Sequence, residues 1–106
     1  GNYTRIGNIA FIYCAISLSN KGSSTGNATI TGFPLTMAAY AQNTAMGNYN
    51  YLTLAVGRDH LFMNSAASVS TFSIYQAGSA TNFIFTTDAN FANNSQINTL
   101  LWRVVV

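Results

Sequence analysis

The chain has 106 residues, of which 49% are hydrophobic and only 6% are charged, and its net charge is +2. This length suits one domain with one core. The four cations, at positions 5, 21, 58 and 103, are too few and too dispersed for a nucleic-acid-binding surface. No apolar run approaches the roughly 18 residues that span a bilayer, so we expect no membrane insertion. The polar surface must consist mainly of Asn, Ser, Thr, Gln and Gly, a composition found in secreted and particle-borne β proteins.

The first predicted strand, residues 8–19, is apolar on both faces. One face carries Ile9, Phe11, Tyr13 and Ala15, and the other carries Ala10, Ile12, Cys14, Ile16 and Leu18. A half-buried strand alternates apolar and polar residues, so both faces of this strand must be covered. A chain of this length has one core. We therefore expect the face with Ile12, Cys14 and Ile16 to fill it. The face with Phe11 and Tyr13 then meets another subunit or another domain, or lies under a flap, although the pattern also permits the reverse assignment of the two faces.

Turn residues separate the remaining short apolar runs at regular intervals. The predicted strands are 8–19, 27–32, 49–56, 60–63, 68–75, 82–86 and 98–105. Residues 35–46 contain helix formers, but Pro34 precedes them and Asn43-Thr44 interrupts them, so we predict a long loop with at most two helical turns. Residues 89–98 are predicted to form a second, polar loop. The spacing of the strands predicts an all-β sandwich or barrel.

The ionisable residues are too few for the common catalytic sites, because the chain has two Asp, one His and no Glu. Glycoside hydrolysis usually needs a pair of carboxylates, whereas Asp59 and Asp88 both lie in predicted turns. His60 directly follows Asp59 at the start of a strand. Because neighbouring side chains there point to opposite faces, we expect that Asp59 does not orient His60 for a Ser-His-Asp triad. Cys14 and His60 cannot supply the four ligands of structural zinc. We predict no enzymatic activity, no metal and no other cofactor.

A group of aromatic and amide side chains remains as the candidate binding site. Its members are Tyr40, Asn43, Asn48, Tyr49, Asn50 and Tyr51. Sugars stack their apolar ring faces on aromatic side chains while their hydroxyls bond to amides, within the general pattern of an apolar site with a few placed polar groups. These residues therefore predict a carbohydrate-binding site. The alternative is that the tyrosines fill a core or a subunit contact and that the asparagines form turns.

An ordered motif occupies about the first third of the chain. It runs through Tyr3-Thr4-Arg5-Ile6-Gly7, an apolar strand, Ser19, Lys21-Gly22-Ser23, Thr25-Gly26, Ile30 and Gly32-Phe33-Pro34. In order and spacing this stretch resembles a segment of phage tail-fibre, tailspike and related virion proteins. It departs from their pattern at Asn20, where Ser is usual, and at Phe33, where Leu is commoner. The later two thirds of the chain match only in outline, including the closing strand.

The resemblance implies an antiparallel, jelly-roll-like β-sandwich of seven to eight strands that forms a homotrimer. It implies a single domain, residues 1–106, at the C-terminal end of a longer virion fibre or spike protein, located on the phage tail outside the cell. A chain that starts with Gly1 and has no signal-peptide pattern agrees with such a segment. Domains of this kind bind host cell-surface glycans, lock the trimer together, or do both. We thus expect either a carbohydrate-binding receptor module or a purely structural trimerisation domain.

Overall fold

The computed structural model describes residues 1–40, 42–79 and 81–106, and for residues 43–45 and 99–102 it describes the backbone alone. The described residues form nine strands and one 3-10 turn. The strands are β1 (Asn2–Ile6), β2 (Ile9–Ser17), β3 (Thr29–Ile30), β4 (Gln42–Ala45), β5 (Tyr49–Leu52), β6 (His60–Ser65), β7 (Phe72–Gly78), β8 (Thr81–Phe85) and β9 (Phe91–Val105), and the 3-10 turn is Asp88–Asn90. The strand pairs are antiparallel. The predicted all-β fold is confirmed.

The strands lie in two sheets. The first sheet has the order β1-β2-β9-β5, and the second has the order β3-β7-β6-β4 with β8 also paired to β7. Strands β3 and β8 share one side of β7, where β3 pairs with its beginning and β8 with its end. The described part of the chain contains no helix long and apolar enough to cross a bilayer.

The core lies between the two sheets and is built from alternate residues of β2, β6, β7 and β9, together with Met37 from the segment between β3 and β4. One buried cluster contains Ala10, Ile12, Met37, Met63, Phe72 and Val104, and a second contains Leu61, Ile74 and Ile97. Full burial of a side chain as large as Phe72 or Met63 stabilises the fold by about 1.5–3 kcal/mol. Both of these side chains are fully buried, so they contribute strongly to the first cluster.

Strand β2 places the predicted face toward this core. Ile12 is buried and Cys14 packs against the first cluster, while Ile16 is half-buried. On the opposite face Phe11 is half-buried and Tyr13 is exposed. The assignment of the inward face is confirmed, and the outward face of the first sheet carries the surplus apolar side chains.

Strand β1 was not among the predicted strands. All five of its residues are exposed, and they pair with β2 across the two-residue turn Gly7-Asn8. Gly7 has a φ of 60°, the left-handed value that a hairpin turn with Gly at its first central position requires. An edge strand held by main-chain pairing needs no alternation of apolar and polar residues, so the pattern does not reveal it.

The predicted polar loop at residues 89–98 is wrong. Asp88–Asn90 forms a 3-10 turn and β9 starts at Phe91. Ser95 is buried within this polar part of β9. Its hydroxyl donates to the Tyr51 carbonyl oxygen at 2.6 Å and accepts from the Ala92 N–H at 2.7 Å. These two bonds satisfy the polar group and let the strand continue without an apolar side chain there.

The predicted loop at residues 35–46 is wrong at its end, where Gln42–Ala45 forms β4. The amide of Gln42 connects β4 to the first sheet, since its Nε2 donates to the Val105 carbonyl oxygen and its Oε1 accepts from the Val105 N–H, both at 2.7 Å. The side chain thereby replaces one step of strand pairing. This contact spans most of the chain and has no local signature.

Candidate functional site

Strand β5 carries two of the predicted binding residues on an edge of the first sheet. Tyr49 is half-buried against the second core cluster, and its hydroxyl donates to the Asp59 carbonyl oxygen at 3.3 Å. The next tyrosine, Tyr51, has a φ of 58° and lies where the pairing of β5 with β9 shifts register. This irregularity interrupts the alternation of the strand and leaves the Tyr51 ring exposed.

Three of the six predicted residues line one open cleft of about 590 Å³, which we call the polar cleft. Its polar lining residues are Asn48, Tyr49, Asn50, Asp59, His60 and Asn98, and Met46, Gly47 and Leu61 also line it. Tyr40 and Tyr51 are exposed but do not line it. The side chain of Asn43 lies outside the described residues. The structure thus brings together Asn48, Tyr49 and Asn50 and separates them from Tyr40 and Tyr51.

The expectation for Asp59 and His60 is wrong. Their side chains meet, with His60 Nδ1 2.7 Å from Asp59 Oδ1. Asp59 lies in the turn before β6, where the alternation of a strand does not apply. Both side chains are largely exposed, and no Ser, Thr or Cys is found among the described residues that line the cleft. Nor do three or more His, Cys, Asp or Glu residues in the described chain lie close enough to hold a metal ion.

A second surface lies on the outward face of the second sheet, and the sequence did not predict it. Four rings form this surface, which we call the aromatic platform: Phe62, Tyr75, Phe83 and Phe85. Strand register places Phe62 beside Tyr75 and Tyr75 beside Phe85. The first pair stacks at a centroid distance of 5.2 Å and the second at 4.5 Å. Such cross-strand pairs stabilise a sheet and fix its rings.

Phe83 completes the platform in a different orientation. Its ring is nearly perpendicular to those of Phe62 and Tyr75, at centroid distances of 5.5 and 5.4 Å. A hollow of about 270 Å³ lies beside these three rings and is also lined by Asn64. Aromatic rings and an amide therefore meet at this point, which is the combination that the sequence predicts around residues 40–51.

No family model, curated protein or solved structure matches the chain.

The platform could not be found without the register of the second sheet. Phe62, Tyr75 and Phe83 are separated by turns in the sequence, and their strands are not otherwise unusual. The local signal in the sequence is the alternation of Phe83 and Phe85, and the structure adds that all five residues of their strand are exposed. An outward row of aromatic side chains on such a strand points to a surface rather than to a core.

The outward face of the first sheet is a third surface. Pairing of β1 with β2 brings Ile6 beside Ile9 and Thr4 beside Phe11. Ile6 and Tyr13 are exposed, and Phe11 is half-buried. Arg103 of β9 lies opposite Phe11. This face is apolar with little charge, so it fits a protein contact better than a polar ligand.

Proposed function

We propose that the chain is a non-catalytic carbohydrate-binding module of a phage virion fibre or spike, which binds a host cell-surface glycan as part of a homotrimer. The assignment to a virion protein rests on the resemblance carried by residues 3–34. The glycan-binding activity rests on one observation: Asn48, Tyr49 and Asn50 line one open cleft together.

The polar cleft has the chemistry that sugar hydroxyls require. The amides of Asn48, Asn50 and Asn98 each offer donors and an acceptor, so they can pair with neighbouring hydroxyls of one sugar ring. The amide of Asn50 donates to Gln96 Oε1 at 3.5 Å, a long contact that a ligand can replace at small cost. Tyr49 is held by its core packing and its bond to Asp59, so binding does not have to immobilise it.

A glycan array, followed by titration of the protein with the glycans that it binds there, tests this proposal. We expect the wild-type chain to bind at least one oligosaccharide of the array. Asn50→Ala should bind the same oligosaccharide about tenfold more weakly, a loss of about 1.4 kcal/mol of binding free energy. Asn94→Ala is the matched control, because Asn94 is exposed and does not line the cleft. The proposal is contradicted if the wild-type chain binds no glycan of the array, or if the Asn50→Ala variant binds with the same affinity as the wild-type chain.

A structural role in trimerisation is the second candidate, and the outward face of the first sheet favours it. In this role Ile6, Phe11 and Tyr13 meet the neighbouring subunit, which gives the second apolar face of β2 a partner. Tyr13→Arg places a charge in that contact, at an exposed site where the fold of one subunit tolerates it. Sedimentation should then show a trimer for the wild-type chain and a monomer for the variant. A wild-type monomer contradicts this role.

A further inference from the structure

We propose that the aromatic platform is a second carbohydrate subsite, in which an uncharged pyranose stacks against the rings beside Asn64. This inference extends the proposed function and rests on it, because the platform and the polar cleft would bind parts of one oligosaccharide.

The exposure of the platform makes it a candidate binding surface. Phe83 is 61% exposed and Phe85 is 40% exposed, although these rings carry no polar atom. The largest contiguous apolar patch on a protein surface measures about 300–600 Å² and is often functional. The four rings also hold one another at stacking and edge-to-face distances, so the surface is rigid before a ligand arrives.

The area of the platform fits a small ligand better than a protein. A fully exposed aromatic side chain offers roughly 200 Å², so the exposed parts of the four rings amount to about 300 Å². A stable protein–protein contact buries about 800 Å² on each partner. The platform is too small for a second copy of the chain to be held by it alone.

The lining of the hollow favours a sugar without charge. Phe62, Tyr75 and Phe83 offer apolar ring surfaces, and Asn64 places an amide beside them. No charged side chain occurs among the described residues of this lining. A carboxylate or sulfate there would lose hydration without gaining a counter-charge. The volume of about 270 Å³ lies just below the range of sites for drug-sized ligands, which suits a single ring.

Strand β6 connects the platform to the polar cleft. Its residues alternate in burial, so His60, Phe62 and Asn64 share the outward face while Leu61 and Met63 are buried. His60 lines the cleft and Phe62 lines the hollow. Two residues of a strand span about 7 Å, comparable to one sugar unit. An oligosaccharide can therefore place one unit in the cleft and another on the platform.

The test is a titration of the wild-type chain, observed through the NMR signals of its Phe and Tyr rings. The probes are neutral methyl pyranosides and the neutral oligosaccharides retained on the array. We expect the signals of Phe62, Tyr75 and Phe83 to shift on saturation. Phe83→Ala should lower the affinity for the oligosaccharide at least tenfold. Phe83→Leu, which keeps apolar volume without a ring, should lower the affinity by a similar factor. This variant replaces Phe83→Ala in the test if the alanine variant does not fold.

Ile84→Ala is the matched control, since Ile84 is an exposed apolar residue of the same strand that does not line the hollow. Its affinity should equal that of the wild-type chain. If Asn50→Ala weakens binding but both Phe83 variants bind normally, the platform subsite is refuted while the proposed function stands. Failure of the wild-type chain to bind any sugar refutes both. The inference is also overturned if sugar addition does not shift the ring signals of the wild-type chain and Phe83→Ala changes the oligomeric state. The platform would then be a contact between copies of the chain.

Discussion

The buried amide of Gln76 holds together three segments around the platform, and its replacement gives a quantitative test of the fold. Gln76 is 1% exposed. Its Oε1 accepts from the Ala55 N–H at 2.7 Å, and its Nε2 donates to the Phe85 carbonyl oxygen at 3.3 Å and to Asn90 Oδ1 at 3.2 Å. One side chain therefore links β7 to β8, to the loop after β5 and to the 3-10 turn.

Gln76→Leu keeps most of the volume and removes all three bonds. The Ala55 N–H then has no acceptor from this side chain in a partly buried site, which costs about 1–3 kcal/mol. The two longer bonds of Nε2 add about 0.5–1.5 kcal/mol each, and burial of the apolar Leu returns part of the loss. We expect a net destabilisation of about 2–4 kcal/mol, a large fraction of the 5–15 kcal/mol typical of a whole domain.

Urea denaturation of both proteins measures this difference. The midpoint should fall with the slope unchanged, because the variant alters stability rather than the surface exposed on unfolding. Gln96→Leu is the control: Gln96 is half-buried and the contact of its amide with Asn50 is long, at 3.5 Å, so the variant should lose less than about 0.5 kcal/mol. If Gln76→Leu lowers the free energy of unfolding by less than about 0.5 kcal/mol, this amide does not stabilise the attachment of β8 and the reasoning is refuted.

Two further substitutions test separate parts of the structure. A Cβ at Gly78 would collide with the carbonyl of Gly57, so Gly78→Ala should lower the free energy of unfolding by about 2 kcal/mol or more, whereas Ser79→Ala at the exposed neighbouring position should change it by less than about 0.5 kcal/mol. Equal thermal midpoints for these two variants would contradict the close approach of Gly57, in the turn before β6, to the end of β7. His60→Ala should cost less than about 1 kcal/mol, because the contact of His60 with Asp59 is largely exposed. A larger loss in the same denaturation assay would mean that this pair supports the fold.

Alternation of apolar residues predicted the parts of the fold that bury one face. It identified the inward side of β2 through Ile12 and Cys14. The alternation of Phe83 and Phe85 also located β8 within one residue at each end, although all five residues of that strand are exposed. It failed for β1 and for the beginning of β9. Those strands are held by main-chain pairing and by hydrogen bonds of polar groups such as Ser95, whose partner Tyr51 is distant in the sequence.

The candidate site was predictable only in its composition. Asn48, Tyr49 and Asn50 are neighbours in the sequence and remain together in the cleft. The left-handed φ of Tyr51 turns that residue away from the expected group, and nothing in the local sequence indicates it, since a non-glycine residue rarely adopts this conformation. The platform depends on the pairing of three strands, which no single stretch encodes.

The most direct test of the proposed function is a crystal structure of the chain with the neutral oligosaccharide that it retains most strongly on the array. We predict one sugar unit within hydrogen-bond distance of the Asn48 and Asn50 amides and a second unit against the Phe83 ring. A structure in which the polar cleft and the aromatic platform are both buried between copies, together with an array on which the chain binds no glycan, would contradict carbohydrate binding. Trimerisation would then remain as the function.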